Sequence, residues 1–234
     1  MRLVTWNCRI GGYRKKAKRM ASLAPDVLAV QEVEPLDGVQ LLAGDSQPTF
    51  RHRAANPQFP RRGIGVFSYT ETTLRALGAE NTLDGFQRYE AVRDELVFNV
   101  AAVWPWATKS ARTSYRQAHD GLAAHRAWIL ERPTVVLGDF NANASFAGSA
   151  WRDLAELMRG LALTSAYHHF SGDPFGKEKA HTHFHHGNAE RPFHLDYCFV
   201  PNSWVPKIRS VEVGAHADWN SVSDHVPVIV DLDL

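Results

Sequence analysis

The run TVVLGDFNAN, residues 134 to 143, carries branched and apolar side chains into Gly138 and then sets a carboxylate at Asp139 and a carboxamide at Asn141. In extended chain, residues two apart point the same way, so both groups are expected to project toward one site beyond the end of a strand. Gly, Asp and Asn are equally good turn formers, which leaves this motif alone balanced between a turn and a site. Other strand ends tip the balance. RLVTWNCRIGG puts Asn7 after an apolar run with Arg9 on its side, and DVLAVQEVE closes a second run with Glu32. A carboxylate ending a buried strand is costly unless a cation or donor compensates it, and a hard divalent ion with oxygen ligands would do so. Glu32 is therefore the first candidate metal ligand, with an ordinary rim salt bridge as the competing reading.

Near the C-terminus, HLDYCFVP embeds Asp196 among apolar residues, and NSVSDHVPVIVDLDL puts Asp224 and His225 immediately before a last apolar run. A carboxylate accepting the N–H of His225 would fix the ring and favour its charged form, suiting it to steady an anionic phosphoryl group. Asp196 is the better partner. Asp224, adjacent in sequence, cannot easily fold back onto its neighbour's ring and is free to assist a metal or its water. A capped loop histidine is the competing reading for His225. The histidines at 181, 183, 185 and 186 invite a zinc site, because alternate strand residues share a face. Zinc is the lesser reading, since histidine ladders form easily on strands and no cysteine lies nearby.

The elements that must position these residues are mostly strands. Short β-rich runs fall at 2–6, 27–31, 64–69, 96–104, 134–138, 195–200, 205–213 and 226–232. Helical patterns occupy 14–24, 115–131 with Ser114 and Gln117 at capping-box spacing, and 149–159. No helix is evident between 64 and 104, which argues against a strand-helix barrel and for two packed sheets with helices outside. A chain of 234 residues, 44% hydrophobic, can bury one large core, so a single domain over 1–234 is expected. Its Cys8 and Cys198 lie in or beside apolar runs and read as reduced buried thiols. The opening MRLVTWN lacks a signal-peptide pattern and no run is long enough to span a membrane, so the expectation is a cytoplasmic, monomeric protein without a membrane partner. The net charge is +1, yet residues 1–62 hold 11 Lys/Arg against 5 Asp/Glu. The basic segment 14–19, with Arg51, Arg53, Arg61 and Arg62, could track a nucleic-acid backbone; the solvated face of an amphipathic helix is an equal reading.

TWN, QE, GDFN, HLDY and SDHVP, in that order across nearly the whole chain, resemble the endonuclease/exonuclease/phosphatase superfamily. The resemblance implies a four-layer α/β-β/α sandwich, two packed and mostly antiparallel sheets flanked by helices, with the site where strand ends converge. It further implies that Glu32, helped by Asn7 and Asp224, binds a divalent metal, Mg²⁺ or alternatively Mn²⁺. Asp139 would position or deprotonate the attacking water, Asn141 would donate to a phosphate oxygen, and His225 supported by Asp196 would contact the scissile phosphate. Thr182 resembles the threonine that precedes the histidine-bearing end in relatives, and Arg9, as in DNase-like members, would grip a phosphate. Relatives usually carry a His or Tyr in the strand that here reads LVFNVAAVWPW, where Trp104 falls near the slot. Either Trp104 stacks on substrate, or Tyr115 and Gln117 supply the missing donor. The function expected is a metal-dependent phosphodiesterase, foremost a nuclease acting on DNA or RNA. A phosphatase or phosphodiesterase for a small-molecule or lipid ester is the alternative, and a non-catalytic phosphate-binding module a third.

Overall fold

A computed structural model of the chain describes residues 1–34, 62–77, 85–105 and 111–234. Its strands are β1 (Arg2–Asn7), β2 (Val27–Val33), β3 (Gly63–Phe67), β4 (Thr73–Leu77), β5 (Phe86–Arg93), β6 (Leu96–Val103), β7 (Thr134–Asp139), β8 (Leu163–Ser165), β9 (His183–Phe184), β10 (Pro192–Phe193), β11 (Asp196–Pro201), β12 (Ile208–Val213) and β13 (Val228–Leu232). The helices are α1 (Tyr13–Ala21), α2 (Ala111–Ala124), α3 (Arg126–Glu131), α4 (Ala144–Ala147), α5 (Ser149–Gly160), α6 (Ala166–Ser171) and α7 (His216–Trp219).

Two sheets carry the fold, ordered β12-β13-β1-β2-β3 and β4-β5-β6-β7-β11-β8, with β9 and β10 forming a separate ribbon. Pairing is antiparallel except for β1 with β2 and β6 with β7. Those parallel neighbours need crossovers, which α1 supplies for the first pair and α2 with α3 for the second. Strand alternation then sorts side chains into layers. Leu3, Val27, Ala29 and Val228 of one sheet meet Val100, Ala102, Val135, Leu137 and Cys198 of the other in the central core. The opposite faces bury Trp6, Leu28 and Val30 under α1 and α7, and Val136, Tyr197 and Phe199 under α2 and α5. The result is the expected four-layer sandwich. Cys8 and Cys198 are buried free thiols in different layers. Among the described residues, no helix is long and apolar enough to cross a membrane.

Several elements depart from the sequence reading. The helical pattern 115–131 is two helices that part at His125, and α2 starts at Ala111, so Ser114 lies inside it rather than capping it. Strands β4 and β5 escaped the apolar pattern because β5 interleaves Arg88 and Glu90 with its buried residues. Glu90 pairs across the ladder with Arg75 at 2.8 Å and with Arg132 at 2.9 Å, a charge arrangement suited to an outer face. The run 205–213 becomes a strand only at Ile208, after a 3₁₀ turn over Asn202–Lys207 that contains Pro206. Arg51, Arg53, Arg61 and most of the 56–63 loop lie outside the described residues.

Candidate active site

Three inward-facing ladders end in polar groups at the same rim of the central layer. Leu3 and Thr5 lead to Asn7, Val135 and Leu137 lead to Asp139, and Val200 and Cys198 lead back to Asp196. Asp196 stands directly opposite Asp139 in the ladder of β11 and β7, and Asn7 crosses between the sheets to donate Nδ2 to Asp139 Oδ2 at 3.0 Å. Glu32 would face outward by simple alternation. The β2–β3 register slips between Gln31 and Val33, and Glu32 adopts φ 59°, so a bulge re-aims its carboxylate at the site. Its oxygens accept from Ile10 N at 2.7 Å, Arg62 at 2.9 Å and Asn7 Nδ2 at 3.3 Å.

Gly138 makes the end of β7 possible. At φ 154° a Cβ there would lie 1.9 Å from the Val103 carbonyl oxygen, so the close approach of β6 and β7 admits no side chain. Beyond it, the chain leaves the extended form. Asn141 has φ 48°, its N–H donates to Asp139 Oδ1 at 2.8 Å, and its Nδ2 donates to Pro105 O at 2.8 Å. The expectation that Asp139 and Asn141 share a strand face is thus replaced by a tight turn closed by Asp139 itself. The amide still has a second N–H for a ligand.

His225 is fixed from three sides. Ser223 Oγ donates to Asn7 O at 2.7 Å and accepts from His225 N at 3.0 Å, while Trp6 Nε1 donates to His225 O at 3.1 Å. The ring's Nδ1 meets Asp196 Oδ2 at 2.9 Å, with both side chains almost fully buried. Burial alone would push the imidazole pKa down, but Asp196, with Asp139 and Asp224 behind it, outweighs this and raises it to about 10. Burial, and then the neighbouring Asp196 charge, raise the Asp139 carboxyl to about 7. A protonated imidazole therefore faces a carboxyl poised near neutrality, the pairing expected of an electrostatic stabiliser and a base. Asp139, Asp196 and His225 bring ligating atoms within 4.8 Å of one another, as do His183, Asp224 and His225.

Other sequence candidates fall elsewhere. Trp104 is 4% exposed in the central core, so its enclosed ring has no face to offer a base. Tyr115 is equally buried, and its hydroxyl accepts from Asn143 N at 3.1 Å, which makes it a support for the 139–143 turn. Gln117 is half-buried on the same helix. Thr182 is fully buried and accepts from Leu195 N and Asp196 N at 2.9 and 3.0 Å, so it sets the start of β11 and has no surface for substrate. Arg9 reaches Asp224, Nε to Oδ2, at 3.3 Å. The histidine ladder does not form: β9 is only His183–Phe184, and the chain then turns through a 3₁₀ segment in which His186 has φ 56°.

Sequence reasoning passed over Asn143 and Glu178. Asn143 caps α4 by accepting from Ser145 N, and its Nδ2 donates to Glu178 Oε2 at 3.1 Å and His194 O at 3.0 Å. Glu178 also meets His168 Nε2 at 3.1 Å, and these hydrogen bonds hold its carboxyl down to about 2 against the opposing effect of burial. The signal was present in GDFNAN, a cap residue just before a short helix, but its partner lies 35 residues on in a loop.

The site's donor set fits a divalent cation. Asp196 Oδ1 is buried without a partner among the described residues, Asp139 stands beside it, and neither ligand cluster among those residues includes a cysteine, which suits a hard oxygen-seeking ion. Glu32 belongs to neither compact cluster and is neutralised by Arg62, and Asn7 turns its N–H groups toward both carboxylates and its oxygen toward Arg9 N. As ligands, Glu32 would have to exchange Arg62 for the ion and Asn7 would have to turn its amide over.

A sandwich of two sheets with carboxylates, carboxamides and a carboxylate-bound imidazole gathered at one rim defines a class of phosphoric-ester hydrolases. The chain matches the model of the Endonuclease/Exonuclease/phosphatase family over residues 4–225 and belongs to that family. Among solved structures it resembles an AP endonuclease from Archaeoglobus fulgidus, with a TM-score of 0.72 and 12% identity over 100% of both chains. The Xenopus laevis APE2 catalytic domain superposes with a TM-score of 0.73 at 16% identity, over 99% of this chain and 91% of that one. A 3′ phosphatase from Neisseria, solved with a product DNA hairpin, gives 0.68 at 18% identity over 100% of both chains. No curated protein matches in sequence.

Proposed function

We propose that this protein is a divalent-metal-dependent phosphodiesterase acting on nucleic acid. The observation that carries the reading is the buried Asp196–His225 pair facing Asp139 within ligand distance. In-line attack on a phosphodiester needs a base for the water on one side and fixed positive charge and donors for the oxygens on the other. Asp139, held by the Asn141 N–H, takes the water's proton; its pKa near 7 matches that task. His225, kept protonated by Asp196, and the free N–H of Asn141 donate to the phosphoryl oxygens. Glu32, Asn7 and Asp224 would hold Mg²⁺, with Mn²⁺ as the substitute, and the bound ion supplies additional charge stabilisation.

Nucleic acid is favoured as substrate by the basic start of the chain. Lys16 is spent on the carbonyls of Cys8, Arg9 and Gly11, and Arg19 lies 4.0 Å over the Trp219 ring, but Arg14, Lys15 and Lys18 remain exposed on α1, just beyond Asn7. Two of the similar structures are described as an AP endonuclease and a 3′ phosphatase with product DNA, which supports the same substrate class. The test is a magnesium assay with a chelator control across plasmid, single-stranded DNA, abasic duplex, RNA, a 3′-phosphorylated oligonucleotide and a small aryl phosphate diester. Chelator-sensitive cleavage of a nucleic acid is expected; turnover confined to the small ester would refute the substrate class.

A further inference from the structure

His183 is used by nothing in the reaction above, yet it stands beside the catalytic imidazole. Val226 N donates to Thr182 O at 2.8 Å and Phe184 N to Asp224 O at 2.7 Å, so the His183–His225 bridge between them is a non-hydrogen-bonded antiparallel pair. Such pairs bring side chains closest on one face, and the two rings lie with centroids 4.4 Å apart. The Nε2 of His183 lies 4.0 Å from Asp224 Oδ2, while its Nδ1 is buried with no partner among the described residues. Among the described residues, no hydrogen bond accounts for the ring's position.

We propose that His183, Asp224 and the Nε2 of His225 form a transition-metal site that takes Zn²⁺ in preference to Mg²⁺. Two imidazoles and one carboxylate are the donors zinc favours, and three protein ligands leave a fourth position open. One ligating atom from each of the three residues already lies within 4.8 Å of those of the other two, so zinc–ligand bonds of about 2.0–2.2 Å ask for modest closure by side-chain rotation. Zinc takes the place of the His225 Nε2 proton, which is released to solvent, while the ring's Nδ1–H stays on Asp196, as the other ring N–H of a ligating histidine typically stays on a carboxylate. Arg9, partly exposed and 3.3 Å from the same Asp224 oxygen, is the group zinc displaces. Occupancy has a consequence that rests on the function proposed above: zinc on His225 Nε2 removes the donor meant for the phosphoryl group, so Zn²⁺ inhibits the magnesium-supported reaction.

The test is calorimetric titration of the full chain with Zn²⁺ alone, with Co²⁺ absorption spectra reporting the ligand geometry. Wild-type protein is expected to bind one Zn²⁺ at this site far more tightly than Mg²⁺. His183→Gln should weaken that binding at least about 100-fold, beyond what loss of a supporting contact causes. His185→Gln, at the neighbouring surface pair with His186, should leave it unchanged. Should His183→Gln not fold, Asp224→Asn removes a second ligand and must weaken binding likewise. Equal zinc affinity in wild type and His183→Gln overturns the site, as does loss of binding in His185→Gln alone. In the magnesium assay, zinc should inhibit wild type and spare His183→Gln; equal inhibition of both overturns the inhibitory role. A protein that hydrolyses no ester yet loses zinc with His183→Gln would refute the proposed function and leave the metal site standing.

Discussion

At the scale of single residues, the chemistry depends on two opposite charge states kept side by side. Burial and Asp196 lift Asp139 to about 7, so its base form grows in as pH rises through that value. Asp196 lifts His225 to about 10, so its imidazolium is present throughout the neutral range and is lost only as pH rises through that value. The metal-free protein should therefore show a protonated His225 at pH 8 by nitrogen-15 NMR of the ring. In Asp196→Asn the largest lifting charge is gone, leaving only Asp139 and Asp224 against burial, and the imidazolium should be lost at a clearly lower pH than in wild type, toward the ordinary value of ~6.5. Unchanged titration in that variant would remove the physical basis of the pairing. With magnesium present, His225→Gln should cost about 10²–10³-fold in kcat, the size typical of losing one preorganised donor.

At the scale of elements, the site is an outcome of strand parity, one bulge and one glycine. Alternation carries Asn7, Asp139 and Asp196 to the inner face without special devices, whereas Glu32 needs the β2 bulge and Asp139 needs the contact between Gly138 and Val103. Gly138→Ala should cost on the order of 3 kcal/mol in urea unfolding, because backbone atoms of β6 must move to admit a methyl group. Asn143→Ala should cost about 1–3 kcal/mol, since it strips Glu178 and the His194 carbonyl of a buried donor. The strand ends around Asn7, Asp139, Asp196 and His225 were legible in the sequence because each borders an apolar run. The turn at Asn141 was one of two readings left open, since a left-handed residue and a strand continuation share the same letters. Trp104 and Tyr115 were misread because aromatic type does not say which side of a sheet a ring takes: Trp104 faces the inter-sheet core and Tyr115 the helix layer. His183 was seen only as a rung in a ladder, and its real neighbours, Asp224 and His225, come from a distant segment.

At the scale of the whole molecule, the two sheets work as a vise whose rim holds groups from the first strand to the segment before the last. Asn7 and Asp139 come from different sheets, so their 3.0 Å contact reports how closely the sheets meet at the rim. The exposed cations of α1 extend from that rim, and a nucleic-acid substrate neutralised there should weaken steeply as salt rises; log(kcat/KM) against log[salt] should fall with a slope of about −2 to −3 for duplex DNA, near −0.9 per phosphate contact. Replacing Arg14, Lys15 and Lys18 by Gln should flatten that slope and leave turnover at saturating substrate unchanged. The most direct measurement is the magnesium-dependent initial rate on a duplex oligonucleotide for wild type and Asp139→Asn, with circular dichroism confirming that both are folded. A fall of about 10²–10⁴-fold is expected, the worth of a positioned base. A folded Asp139→Asn protein cleaving at the wild-type rate would contradict it.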